Sequence, residues 1–267
     1  MSAPEVIGFP PPLLGDKPVR MRVLHTSPGF AAILKPAGTA WDDHLWNLGR
    51  PHVMGAMREQ LAAGKPELVA LGVARPASVH YFDAETGGVG LLADRETDAL
   101  DKWRNAFGSE ALTFTYRMLA FTADAPEEGG DCPLPVAVHR TEPKALVSHN
   151  TGKKSLTKFK ALEKLGMWTL WEATTTLPRP HQVRLHAAEA GIRIVGETVY
   201  SQPGDIMLSQ LMRKGRLNKG EDKVVNDGLG LRLVSVDCSR VDAAVGVISG
   251  DDEEWEGLID RLRKAAK

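Results

Sequence analysis

The residues best placed to do chemistry lie in Val79-His80-Tyr81-Phe82-Asp83-Ala84-Glu85-Thr86-Gly87-Gly88, where one carboxylate leaves an apolar run and enters a glycine-bearing turn. Val79, Tyr81 and Phe82 favour extended backbone, whereas Gly87 and Gly88 tolerate positive φ and let another molecule approach the chain. Presented by a rigid strand, Asp83 is a candidate nucleophile. Acidic residues beside glycines also form ordinary turns, so this stretch taken alone leaves both readings open. A second stretch, Leu177 to Gly191, gathers Arg179, His181, Gln182, Arg184 and His186. Pro180 suits the first position of a helix and Gly191 the residue past its end. That reading places Arg179 at the positive end of a helix dipole, where phosphate and other anions are attracted.

Other catalytic patterns are incomplete. Gly152-Lys153-Lys154-Ser155 looks like the end of a phosphate loop, but Val147 stands where its first glycine is required and Lys154 where a hydroxyl is required. His181 and His186 are five apart and not in an HExxH arrangement, so no zinc or other metal is expected. There is no GxSxG, and neither cysteine sits in an electropositive frame suited to covalent catalysis.

Composition bounds the rest. With Lys+Arg 33 against Asp+Glu 34 over 267 residues, the net charge is -1, which excludes a globally basic nucleic-acid binder and requires any such surface to be local. Cys132 and Cys238 lie far apart, suggesting free thiols in a reducing compartment. From Met1 to Gly15 no basic segment precedes an apolar run, so neither signal peptide nor transit helix is expected. No run of about 18 apolar residues occurs, the length a membrane span needs. The expectation is a cytoplasmic protein without membrane contact.

The elements that must position these residues follow from periodicity. Residues 1–19, rich in proline, read as an extended surface arm. Met21 to Leu24, Phe30 to Leu34, Val89 to Ala93, Ala111 to Phe121, Met167 to Thr176 and Leu229 to Val236 read as strands. His52 to Ala63 and Arg95 to Phe107 have apolar residues at helical spacing, with Trp103 in the core. Asp124 to Asp131 reads as an acidic, glycine-rich loop. Ala145 to His149 and Ser155 to Leu162 flank Asn150-Thr151-Gly152 as a hairpin. Asp205 to Gly228 is polar, with Arg213, Lys214, Arg216, Lys219 and Lys223. Ser249 to Lys267 forms an amphipathic helix whose acidic first turn and basic last turn match the dipole. Strands outnumber helices and hairpins recur, which predicts an α+β domain on a mixed, mainly antiparallel central sheet with flanking helices. The domain reading is an arm over 1–19, a catalytic domain over 20–248, and a C-terminal helix over 249–267 packed on that domain.

Three separated segments together resemble the RluA family of pseudouridine synthases. The family motif HRLDxxTSG corresponds to HYFDAETGGVGLL here, keeping His80, Asp83, Thr86, Gly88, Leu91 and Leu92. The later family motif, close to TGRTHQIRxHxxxxGxPIxGDxxYG, corresponds to LPRPHQVRLHAAEAGIRIVGETVYS, keeping Arg179, His181, Gln182, Arg184, His186, Gly191, Ile194, Gly196 and Tyr200. Between them Tyr116, in TFTYRMLAF, matches the strand carrying the family tyrosine. LKPAG and GKKSLTKFKAL agree more weakly, through Lys35, Pro36 and Gly38 and through Lys154, Thr157 and Phe159.

The resemblance implies the pseudouridine synthase fold with an active-site cleft, and isomerisation of uridine in ribosomal or transfer RNA without metal or cofactor. It implies Asp83 as nucleophile, Arg184 as its basic partner and Tyr116 as the platform on which uracil stacks. His80, Tyr81, Thr86, Arg179, His181 and Gln182 would then contact RNA, and a monomer is the family-level expectation. The sequence departs from the motifs at Tyr81, where the family has arginine, and at Phe114, where it has lysine. Gly87, Pro178, Pro180 and Glu197 replace serine, glycine, threonine and aspartate. The loss of two basic residues motivates an alternative, a catalytically inactive RNA-binding relative acting in ribosome assembly. A more distant alternative, a small-molecule lyase or glycosidase, would need a second catalytic carboxylate, for which Glu85 is the nearest candidate.

Overall fold

The computed structural model describes residues 4–46, 48–123, 125–212, 220–226, 228–250 and 252–267. Of the basic residues in the polar stretch Asp205 to Gly228, Arg213, Lys214, Arg216 and Lys219 lie outside these. The strands are β1 (Val6–Phe9), β2 (Val19–Ser27), β3 (Phe30–Lys35), β4 (Pro76–Ser78), β5 (Gly87–Asp94), β6 (Thr113–Phe121), β7 (Gly129–Cys132), β8 (Val136–Val138), β9 (Ala145–Val147), β10 (Thr157–Leu165), β11 (Trp168–Thr175), β12 (Arg193–Ile194), β13 (Leu231–Asp237) and β14 (Val247–Ser249). The helices are α1 (Val53–Ala62), α2 (Pro66–Val69), α3 (Ala99–Gly108), α4 (Gln182–Glu189), α5 (Leu208–Leu211) and α6 (Glu253–Ala266). Among the described residues twelve strands share one sheet along the path β1-β2-β3-β5-β13-β6-β11-β10-β7, with β4, β12 and β14 added to β5, β6 and β13. Its ladders are antiparallel except where β5 and β13 run parallel, so the sheet is mixed and mainly antiparallel as expected.

β5 is buried along its whole length, which explains its unbroken run Val89, Gly90, Leu91, Leu92, Ala93. At its start Gly88 has φ +128, and a Cβ there would stand 2.0 Å from the Leu233 carbonyl oxygen of β13. Only glycine allows that approach. Gly88→Ala is therefore expected to cost at least about 3 kcal/mol in chemical denaturation. A loss below about 1 kcal/mol would contradict the close contact.

Trp103 is in the core as expected, stacked on Phe30 with ring centroids 4.0 Å apart. α6 buries Trp255, Leu258, Ile259 and Leu262 against Leu119, Leu165, Trp168 and Leu170. Asp252 caps it, accepting from the Trp255 N–H at 3.2 Å.

Three local expectations are corrected. The 1–19 arm supplies β1, whose Ile7 and Phe9 are fully buried, because alternate side chains point inward while the backbone pairs with β2. The hairpin over 145–162 does not form. Val136 exchanges backbone hydrogen bonds with Lys153, and β9 pairs with β8, so residues 135–138 separate the two limbs. β10 pairs instead with β11 and β7. That second pairing draws Gly129–Cys132 out of the expected acidic loop into the sheet, with positive φ at Gly129 and Gly130.

Candidate active site

Asp83 is carried by a loop, not by the end of a strand: β4 stops at Ser78 and β5 begins at Gly87. Rigidity comes from side chains beneath it. The Leu91 N–H donates to His80 Nε2 at 3.2 Å, so Nε2 is the acceptor and Nδ1–H donates to the Tyr81 carbonyl at 2.8 Å. Both ring nitrogens are thereby committed to the backbone, and His80, 3% exposed, pins the loop from inside. Lys35 is equally buried and donates to the carbonyls of Pro36, Thr39 and Ala84 at 3.0, 2.8 and 3.1 Å. Its ammonium lies 4.7 Å above the Phe82 ring. Burial brings Lys35 down to about 7, against the pull of the Glu85 and Asp83 carboxylates. Thr86 is buried too, its N–H 3.3 Å from the Asp83 carbonyl.

Burial lowers His80 to about 4. Between its ordinary 6.5 and that value the unfolded chain holds a proton that the folded chain does not, so stability rises with pH across this window and is lost on acidification. His80→Gln is expected to reduce the slope of unfolding free energy between pH 4 and 6.5 by up to one proton, measured by urea denaturation at several pH values. An unchanged slope would mean that His80 already titrates normally.

The other half of the site is the start of α4. The helix begins at Gln182, two residues later than Pro180 suggested, because Gln182 Oε1 takes the Arg179 N–H and the Gln182 N–H takes the Arg179 carbonyl, both at 3.0 Å. This closes a turn ahead of the helix and puts His181 at φ +55. Arg179 therefore precedes the helix and does not stand at its amide end. That end is aimed at Asp83, whose Oδ1 accepts the His181 N–H at 3.1 Å. Gln182 is fully engaged, its amide donating to Leu156, Thr157 and Thr175.

Arg184, expected to pair with Asp83, instead grips Glu197 with Nε and Nη2 at 2.7 and 2.8 Å. Its Nη1 donates to Glu85 at 3.1 Å and to His181 Nε2 at 3.0 Å. Charge explains the preference: Glu197 is as deeply buried as Arg184, and a buried guanidinium needs a bidentate carboxylate. Burial acts to raise Glu197, but hydrogen bonds and charge from Arg184 outweigh it and hold the carboxyl below its ordinary range. The Arg184 charge still reaches Asp83 through space. Because Nε2 of His181 accepts, Nδ1–H donates to the Tyr200 hydroxyl at 3.0 Å, and that oxygen also takes the Ala145 N–H at 2.7 Å. Burial keeps His181 below its ordinary value, consistent with this neutral form.

Tyr116 lies on β6 between Ala173 of β11 and Leu233 of β13, 6% exposed. Burial, and next the nearby Asp83 charge, push its phenol upward. Tyr81, in the place of the family arginine, is pushed up likewise by burial and by Asp83 and Glu85. Phe114, in the place of the lysine, is fully buried 5.0 Å from the His80 ring. Beside the loop opens a cleft of about 380 Å³, lined also by Trp41, Asp42, Asp43, His44, Trp46 and Arg50. Trp46 lies 4.7 Å from the His181 ring and donates to the His139 carbonyl at 3.0 Å.

The fold thus gathers Asp83, Tyr116, His181 and Arg184 at one place, with Tyr81 beside them, and sets His80, Thr86 and Gln182 beneath as supports. Lys35, Tyr200 and Glu197 align with the motifs but receive no role in the site from the sequence, and His44 and Trp46 are not singled out by it at all. Glu197 left a signal, an acid standing where the motif has aspartate. Trp46 left none, since its contact with His181 spans 135 positions that only the fold closes.

The sequence matches the family described as RNA pseudouridylate synthase over residues 30–189. An uncharacterized RNA pseudouridine synthase of Synechocystis sp. is 27% identical over 193 residues, covering 70% of this chain and 57% of the relative. The ribosomal large subunit pseudouridine synthase D of Zymomonas mobilis is 29% identical over 171 residues, 64% of this chain and 50% of the relative. The chain spans about half the length of the curated relatives it matches. Among solved structures, the human RNA pseudouridylate synthase domain containing 4 aligns with a TM-score of 0.65 at 18% identity, over 90% of this chain and 92% of that one, a likeness of fold.

Proposed function

Since the chain belongs to the RNA pseudouridylate synthase family, we propose that it isomerises uridine to pseudouridine within structured ribosomal or transfer RNA, with Asp83 as nucleophile. In this reading an Asp83 oxygen bonds to the ribose C1′ as the C1′–N1 bond breaks and its electron pair leaves with uracil. The base turns, C5 attacks C1′, and the carboxylate is released. C5 loses a proton and N1 gains one, so atoms balance without oxidant, metal or cofactor. The His181 N–H orients Asp83, and Arg184 acts through His181 as a positioning residue. Tyr116 is the platform for uracil, and Tyr81 and Arg179 are RNA contacts. His80, Thr86 and Gln182 serve that surface from beneath.

The observation that carries this reading is the Asp83 carboxylate held at 3.1 Å by the N–H of His181, the residue that precedes α4, with the charge of a buried arginine behind it. Residues 20–248 with the C-terminal helix form the catalytic unit, working as a monomer in the cytoplasm; no helix among the described residues is long and apolar enough to cross a membrane. The relatives named above are called synthases, which lends nothing to the inactive alternative. Incubating the protein with ribosomal and transfer RNA transcripts and mapping pseudouridine tests the reading. New pseudouridine at a defined uridine is expected, and none on any transcript overturns it.

A further inference from the structure

We propose that the cleft between the Asp83 loop and the 41–46 segment receives a second unstacked base of the RNA, one bearing an exocyclic amino group, beside the uridine that reacts. This rests on the RNA reading above. The cleft is large enough for a base, at about 380 Å³, and the partly buried rings of His44, Trp46 and Tyr81 form part of its wall. The His44 ring lies 4.7 Å from Trp46 and 4.9 Å from Tyr81. Such rings stack any base and choose none.

Choice comes from the rim. Asp42, Asp43 and Glu85 line it; Glu85 already meets Arg184 and Asp42 the Ser78 hydroxyl, while Asp43 has 64% of its side chain exposed. Burial holds His44 below its ordinary value; of the two guanidiniums that also line the cleft, Arg104 is held to the Ser78 carbonyl and Arg50 is exposed. Carboxylates repel phosphate and can only accept hydrogen bonds, which suits the amino groups of adenine, guanine and cytosine. Uracil offers two carbonyls and a single N–H, a poor match for the same edge. The rim is also set in place before any ligand arrives. Asp42 accepts from the Ser78 hydroxyl at 2.8 Å, and Asp43 lies 3.3 Å from His52 Nε2. His52 Nδ1 takes the Gly55 N–H at 3.2 Å, which leaves Nε2 to carry the hydrogen toward Asp43. Trp46 is anchored to the His139 carbonyl across the cleft. Arg50, which also lines the cleft, would then meet the phosphate of the same nucleotide.

The test is calorimetric titration of the full chain with adenosine, cytidine and uridine, counting only the binding lost in Trp46→Leu. Adenosine or cytidine is expected to bind at least fivefold tighter than uridine, and Asp43→Asn, at an exposed position, to bring that ratio close to one. Uridine binding as tightly as both, no saturable binding of any of the three, or an unchanged ratio in Asp43→Asn would overturn the proposal. Because the readout is binding, the two ideas fail separately. Selective nucleoside binding without pseudouridine on any transcript would retain the pocket and sink the enzyme, and the converse would sink the pocket alone.

Discussion

Asparagine at position 83 is expected to lower pseudouridine formation at least about a thousandfold, equivalent to roughly 4 kcal/mol of transition-state stabilisation. The substitution removes the attacking oxygen's charge and little else. Its amide oxygen can still accept the His181 N–H that holds the aspartate at 3.1 Å, so the loop and the start of α4 should keep their places. Single-turnover rates on a responsive transcript, with melting temperature and RNA affinity measured alongside, give the comparison. A variant that keeps a tenth of the activity would remove Asp83 from the role of nucleophile. A variant that loses activity together with several degrees of melting temperature would show instead that the carboxylate supports the fold.

The second large effect is on stability. Arg184 and Glu197 are 2% and 1% exposed at their side chains, and the pair is bidentate. Glu197→Ala leaves a buried guanidinium with the half-exposed Glu85 in contact and Asp83 further off as counter-charges, and a loss of about 3 to 5 kcal/mol is expected. Glu197→Asp, which restores the residue of the family motif, should recover part of this. The sign with pH follows from the depressed carboxyl: its contribution is complete above the ordinary value of 4.5 and is lost as pH falls through the lower folded value. Denaturant unfolding of both variants at neutral pH and near pH 4 checks the point. A loss under about 1 kcal/mol in Glu197→Ala would mean that Glu85 or water compensates Arg184. Activity should fall in the same variant, because Arg184 steadies the His181 ring whose backbone amide holds Asp83.

Much of the fold was readable before any coordinate. Strands with strong apolar content, such as β5, β6 and β11, and the helices α1, α3 and α6 carry their periodicity locally, and they lie where that periodicity puts them. β1 and β7 were not readable. One is hidden among prolines and the other among acids and glycines, and each is a strand because a neighbouring edge needed backbone partners. The expected hairpin over 145–162 fails for the same reason: local turn chemistry at Gly152 is satisfied, but residues 135–138 compete for the backbone groups that the two limbs would have exchanged.

For the site, residue types and order were enough to single out Asp83, Tyr116, His181 and Arg184 and to name the family to which the chain belongs, because a carboxylate, a guanidinium and an aromatic ring can be matched to a motif by spacing. Which group touches which was decided only by tertiary structure. Burial made Glu197 the partner of Arg184, since two charges removed from water must compensate each other at close range. Asp83 meets the Tyr81 side chain next to it and the His181 backbone amide, a donor that every residue except proline carries and that no motif can display. His80 was turned inward for a comparable reason: a ring with one donor and one acceptor matches two orphaned backbone groups beneath the loop, and only folding brings those groups within 3.2 Å.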